Sequence, residues 1–322
     1  MTAEATVREG IPALARPLRR DELAAALTIV RRLRDLGSLS PGADAAADAV
    51  VAALQERFVA LTGPEAHDAE PDVRLLEALA ESGLLPLDPL PVERLLDQAM
   101  VVFYLHPGAL TSRHYHRVLL AMIRLDVDVL RDHVLRAPLL GPDLARGAAG
   151  EYLALRLRWE KHAHADEQTR IAADLLELMA SPRIAELGPV TRGRGTWLVA
   201  RQVGTPAQSL ERLDRAIALD PRSPYPHHAR AGLLADMNEP AAAAASAREA
   251  VARLERDGFA RRPSTRYDAA SMLRSAFHHL LRAGQVAEAR SVLVIYEALD
   301  QPEKLDELRA ALREAERASG RR

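Results

Sequence analysis

Paired histidines and carboxylates are the residues of this sequence whose spacing comes nearest to chemistry. They are His114 with His116 in TSRHYHR, His162 with His164 in EKHAHADE, Glu160 with His164, and Asp128 with Asp132. A metal held by one helix needs its ligands on one face, three or four residues apart. Residues two apart on a helix point about 200° from each other, so neither histidine pair can close on one ion if those stretches are helical. Glu160 with His164 and Asp128 with Asp132 do have the i, i+4 spacing, but each pair is half a site. No Glu-x-x-His or His-Glu-x-x-His motif completes one. These side chains are read as solvated helix-face residues, and no metal is expected.

Two glycine-richer stretches, GPDLARGAAG from Gly141 to Gly150 and GRGT from Gly193 to Thr196, are the places to look for a phosphate cradle. Neither follows a strand-like run or ends in the Gly-Lys-Ser/Thr that a phosphate loop requires, so nucleotide and other cofactor binding is not expected. Cysteine is absent, which excludes disulfides, thiolate nucleophiles, zinc-thiolate sites and iron–sulfur ligation together. Serine, histidine and aspartate occur without a nucleophile elbow. No catalytic residue is assigned, and a non-enzyme is the expectation.

The elements that carry these residues read as helices throughout. Of 322 residues, 48% are hydrophobic, 27% charged and only 4% aromatic, a composition that excludes wholesale disorder and argues against a strand-rich core. Apolar residues recur every three or four positions, and Gly or Pro marks the breaks. Helices are predicted from Asp21 to about Leu36, from Ser40-Pro41 to Gly63-Pro64, from about Asp72 to Ser82, and from about Val92 to Leu105. Others are predicted from Ser112 to about Arg136, Asp143 to about His162, and Glu167 to about Ala180. Pro138, Gly141 and Pro142 supply the best candidate boundary. The implied organisation is an N-terminal arm over 1–20, a helical region over 21–140 and a second helical domain over 141–322.

Net charge is −2, so bulk electrostatics gives no reason to expect nucleic acid or an anionic membrane as a partner. Nearly all basic residues are arginine, Lys161 and Lys304 being the only lysines; with heavy Ala and Leu usage, this reads as the coding bias of a GC-rich genome. The N-terminal stretch has the pattern of neither a secretory signal nor a transit peptide. No stretch reaches 18 uninterrupted apolar residues, and cytoplasmic residence is the expectation.

Three segments of the C-terminal half can be superposed: GTPAQSLERLDRAIALDP from Gly204, NEPAAAAASAREAVARLE from Asn238 and GQVAEARSVLVIYEALDQP from Gly284. Each opens with Gly or Asn and then places small or apolar residues five, nine and twelve positions later. These are Ser209, Leu213 and Ala216, then Ala243, Ala247 and Ala250, then Ala289, Leu293 and Tyr296. The first two openings lie 34 residues apart and the next two 46, which implies twelve inserted residues, expected around Arg256 to Ser264. Small residues recur because two helices that cross closely have no room for large side chains. Thr205 with Gln208 and Asp300 with Glu303 have capping-box spacing, and Pro206 and Pro302 fall at early helical positions. A terminal helix from Gln301 to Arg317 would cover the last pair with a charged outer face.

Over about Val190 to Gln301 the pattern resembles the tetratricopeptide repeat family, whose unit is an antiparallel helix pair of 34 residues. The resemblance implies an all-α solenoid of stacked pairs in which the first helix of each pair lines a groove. The matching positions are Arg194, Leu198 and Arg201, then Tyr225, His228 and Gly232, then Arg274, His278 and Arg282. A groove so lined is electropositive and suits an acidic peptide segment or a C-terminal carboxylate. The function it implies is a non-catalytic scaffold or adaptor for a partner protein. Two other classes stay open. One is an all-α enzyme or enzyme subunit with a site near His106, His114 and His116, which stoichiometric iron, manganese or zinc would reveal. The other is a peptide-sensing transcriptional regulator using Arg16, Arg19, Arg20, Arg31 and Arg32, which salt-dependent DNA retention would reveal.

Overall fold

The computed structural model describes residues 112–124, 126, 134, 145–161, 164–256, 265–299 and 304–319. The helices predicted before residue 112, like the Asp300 cap and Pro302, lie outside them. The described residues form α1 (Ser112–Arg124), α2 (Gly147–Lys161), α3 (Ala165–Ala180), a 3-10 helix (Pro182–Glu186) and α4 (Pro189–Ala200). They continue with α5 (Pro206–Leu219), α6 (Pro224–Asp236), α7 (Pro240–Glu255), α8 (Arg266–Arg282), α9 (Val286–Glu297) and α10 (Leu305–Ser319). Among the described residues there is no strand, as the composition predicts.

The chain divides into two compact units, the first made of residues 1–129, 135–157 and 186–188 and the second of 130–134, 158–185 and 189–322, so that α2 is split after Leu157. In the first unit, Leu119, Ala121, Met122 and Ile123 of α1 are all buried. The helix predicted from Ser112 to Arg136 is interrupted: α1 ends at Arg124, and Val134 is again helical. Asp126 adopts a left-handed φ of 55° and its N–H donates to the Ile123 carbonyl, closing α1 at Arg124. An aspartate tolerates that backbone because its short polar side chain can bond locally. The apolar spacing runs on through Leu125, Val127 and Val129 without Gly or Pro, so no sequence signal marks the stop.

In the second unit each helix from α3 to α10 packs on the next, and α6 also touches α8, as α8 touches α10. Connections of three to five residues between α4, α5, α6 and α7, and between α8 and α9, leave room only for antiparallel neighbours. The three segment openings supply the reversals: Gly204, Asn238 and Gly284 have φ of 103°, 61° and 74°. At Asn238 and Gly284 the hydrogen bonding is the same. The next N–H, of Glu239 or Gln285, reaches back to Leu234 or Leu280 at 2.9 Å in both cases. This left-handed closure satisfies carbonyls that a helix end would otherwise leave bare.

All nine aligned small or apolar positions are buried. Ser209, at 8% exposure, is the most open of them, and Ala216 and Ala289 are at 0%. Thr205 caps α5 as predicted, its Oγ1 accepting from the Gln208 N–H at 3.3 Å while Gln208 Oε1 accepts from the Thr205 N–H at 3.0 Å. The twelve extra residues before the third segment are not one loop. Relative to α5 and α6, α7 is two residues longer, the interval before α8 six longer and α8 four longer. The predicted Arg256–Ser264 interval therefore carries half of the insertion, and residues 257–264 lie outside the described set.

α10 lies on α9 and α8 through Leu308 and Leu312, both buried and one turn apart. Most of its exposed residues are charged, with Arg309 paired to Glu297 at 3.0 Å. At the other end, Arg158 in the last turn of α2 holds Glu167 at 2.7 Å and Asp174 at 3.4 Å on α3.

Candidate functional site

The stretches closest to chemistry do not assemble. His116 is buried in α1. Glu160 belongs to α2, whereas His164 is the exposed residue that opens α3, so the two do not share a helix. His106, His162, Asp128 and Asp132 lie outside the described residues. Among the described residues no three His, Asp or Glu side chains are grouped as metal ligands. The GRGT stretch is the middle of α4 rather than a loop. A Cβ at Gly193 would stand 3.2 Å from the Ala216 carbonyl oxygen and 3.2 Å from Asp220 Cβ, so this glycine lets the end of α5 approach α4.

The predicted groove positions fall on α4, α6 and α8, with Arg201 in the turn just after α4, and they divide into an inner and an outer set. Leu198 is 1% exposed and offers a partner nothing. Arg194 is also buried, its guanidinium carbon 3.8 Å from the centre of the Tyr225 ring and 4.9 Å from that of Trp197. The two rings tilt against each other at 52° with centroids 5.2 Å apart. Aromatic faces attract a cation, and the attraction strengthens once water is excluded. Arg194 is thus enclosed where α4 meets α6 instead of lining an open surface. Tyr225 OH donates to Asp268 Oδ2 at 2.7 Å, which continues the column from α6 to α8.

Arg201, His228, Gly232, Arg274, His278 and Arg282 remain wholly or partly open. Arg201 reaches back over Trp197 at 5.2 Å. Nothing lies within 4 Å of a Cβ built on Gly232, so the surface beside His228 is recessed. Arg274, His278 and Arg282 follow one another at four-residue intervals along α8. Neither Arg274 nor Arg282 has an ion-pair partner among the described residues.

The histidines of this face are shifted toward their neutral form. His228 is lowered from 6.5 to about 4, chiefly by burial and then by the nearby His279 and Arg201, against the opposing pull of Asp268. Burial also lowers His278, with Arg282 and Arg274 adding to it. His279 is lowered by burial, then by Arg282 and His278. Positive charge on this face therefore comes mainly from arginine. Sequence reasoning missed Trp197, Asp268 and His279. Asp268 meets Tyr225 across 43 positions, a separation no local pattern reports. His279 follows His278 in sequence and was legible only as its neighbour.

Compared with known proteins, the chain matches no protein-family model, no curated protein and no solved structure. Among the described residues no helix is long and apolar enough to cross a membrane.

Proposed function

We propose that the C-terminal helices are a tetratricopeptide-like solenoid acting as a non-catalytic scaffold or adaptor, and that the face of α6 and α8 takes an acidic segment of a partner protein. The observation that carries this reading is the burial of all nine aligned positions, behind three left-handed turns at the segment openings. A single pair of helices cannot hide its apolar stripe, so pairs must stack. The contacts of α6 with α8 and of α8 with α10 are those expected of stacked first helices. Stacking leaves the outer residues of those helices side by side and free for recognition.

The affinity is assigned to Arg274 and Arg282. Neither guanidinium group forms an ion pair with a carboxylate among the described residues, although Glu307 and Asp236 act on the neighbouring His278 and His279, and a carboxylate ligand can engage each arginine bidentately. Arg194 and Leu198 have a positioning role, holding α4 against α6. Reversing the charge with Arg274→Glu and Arg282→Glu is expected to weaken capture of an acidic partner at least tenfold, roughly 1.4 kcal/mol. Wild-type capture should also fall as salt rises. Affinity capture with quantitative mass spectrometry reads both, and a partner retained equally by the double variant and at high salt would overturn the proposal.

A further inference from the structure

A cavity of about 160 Å³ lies on the other side of α4, between α3, the 3-10 helix, α4 and α5. Leu176, Met179 and Val199 give it apolar walls, and Arg192, Arg212 and Arg215 line it with no carboxylate among them. Arg192, Thr196 and Val199 share one stripe of α4 at i, i+4 and i+7, so this face points away from the Arg194 stripe. The cavity and the proposed partner surface are separate.

The arginines at this cavity are in unusual states. Arg192 Nε is buried and has no hydrogen-bond partner, and neither Arg192 nor Arg215 has an ion-pair partner among the described residues. Arg212 is held in place, its Nη1 donating to the Val203 carbonyl. A buried donor with no acceptor costs free energy, more so when it belongs to a cation. The Thr196 hydroxyl, which donates to the Arg192 carbonyl at 2.8 Å, is not an acceptor for it. Arg192 and Arg215 can each supply further N–H donors, and the groups that would accept them are anionic oxygens.

We infer that this cavity binds a small carboxylate whose apolar body is about six heavy atoms. The size follows from the volume, since an apolar cavity of about 150 Å³ takes one benzene. The carboxylate is set at Arg192 and Arg215, and the apolar body lies against Leu176, Met179 and Val199. Such a group could be a free short-chain acid or the last residue of a peptide ending in an apolar side chain.

Isothermal titration calorimetry of the full chain tests this with three probes: 4-methylpentanoate, its neutral amide 4-methylpentanamide, and the tripeptide Ala-Ala-Leu with a free C-terminus. Saturable binding of the acid and not of the amide is expected. Arg192→Gln and Arg215→Gln should each weaken it about tenfold or more. Leu176→Phe, which fills the space without touching charge, should remove binding, with folding checked for every variant by circular dichroism. Tighter binding of the tripeptide identifies a chain terminus as the source of the carboxylate, and tighter binding of the acid identifies a small metabolite. Absence of saturable binding of both carboxylates at about 10 mM, equal binding of acid and amide, or binding unchanged in the arginine variants would overturn the inference. Arg274→Glu with Arg282→Glu leaves this cavity intact, so its failure and that of the scaffold proposal are told apart.

Discussion

Lowering the pH from 7 to 4 is expected to remove roughly 5 kcal/mol of folding stability through His227 and His228 alone. Both have folded pKa values lowered from 6.5 to about 4. For His227 the causes are burial and then Arg253, with Arg230 adding to them while Glu249 and Asp214 pull the other way. Its Nε2 is buried with no hydrogen-bond partner, consistent with a neutral ring. Above pH 6.5 both folded and unfolded chains hold these rings neutral, and stability is full. Below it, the unfolded chain takes up protons that the folded chain refuses, so stability falls until about pH 4, where the folded rings also protonate. Each pKa unit is about 1.4 kcal/mol, giving up to about 3 kcal/mol per ring, somewhat less for the partly open His228. His278 and His279 shift in the same direction. Urea unfolding across pH 7 to 4 measures the slope, and His227→Gln or His228→Gln should each remove about half of the part that these two rings supply. A slope unchanged by both replacements would show that these rings titrate normally.

Adding a hydrophobic side chain where two helices touch is expected to destabilise the fold, although it adds apolar surface. Ala243 and Ala247 are each 1% exposed, so Ala243→Leu and Ala247→Leu must displace a neighbouring helix at a cost of about 1 to 3 kcal/mol each. Ala245 sits between them in the same run of alanines and is exposed; Ala245→Leu should change stability by less than about 0.5 kcal/mol. Thermal and urea unfolding of the three variants gives the comparison. Equal effects at all three positions would mean that the close face of α7 is elsewhere.

That alanine run shows what could be read in advance. The spacing from Asn238 picks out Ala243, Ala247 and Ala250 from a stretch whose composition distinguishes nothing, because a helix in close contact must keep small residues at i, i+4 and i+7. The openings at Gly204, Asn238 and Gly284 were legible for a similar reason: a left-handed turn restricts residue type. Thr205 and Gln208 were legible because a capping box is local.

What the sequence concealed depends on partners far along the chain. Arg194, Arg201, Arg274 and Arg282 look alike in a chain that uses arginine for nearly all its cations, and only the approach of Trp197 and Tyr225 makes Arg194 an interior residue. The same holds for histidine charge, since burial and neighbouring arginines neutralise His228 and His278 without any local mark. Arg192 gave no signal either, because the emptiness beside it comes from how α3 and α5 lean on α4.

The stacking of consecutive first helices is tested most directly by a double-mutant cycle between Tyr225 on α6 and Asp268 on α8. Their hydrogen bond, 2.7 Å long, joins residues that share no helix and no turn. Tyr225→Phe, Asp268→Ala and the double variant, compared by urea unfolding, should give a coupling energy of about 1 kcal/mol or more. Additive effects within about 0.5 kcal/mol would mean that α6 and α8 do not lie side by side, and the stacked-pair arrangement would be contradicted.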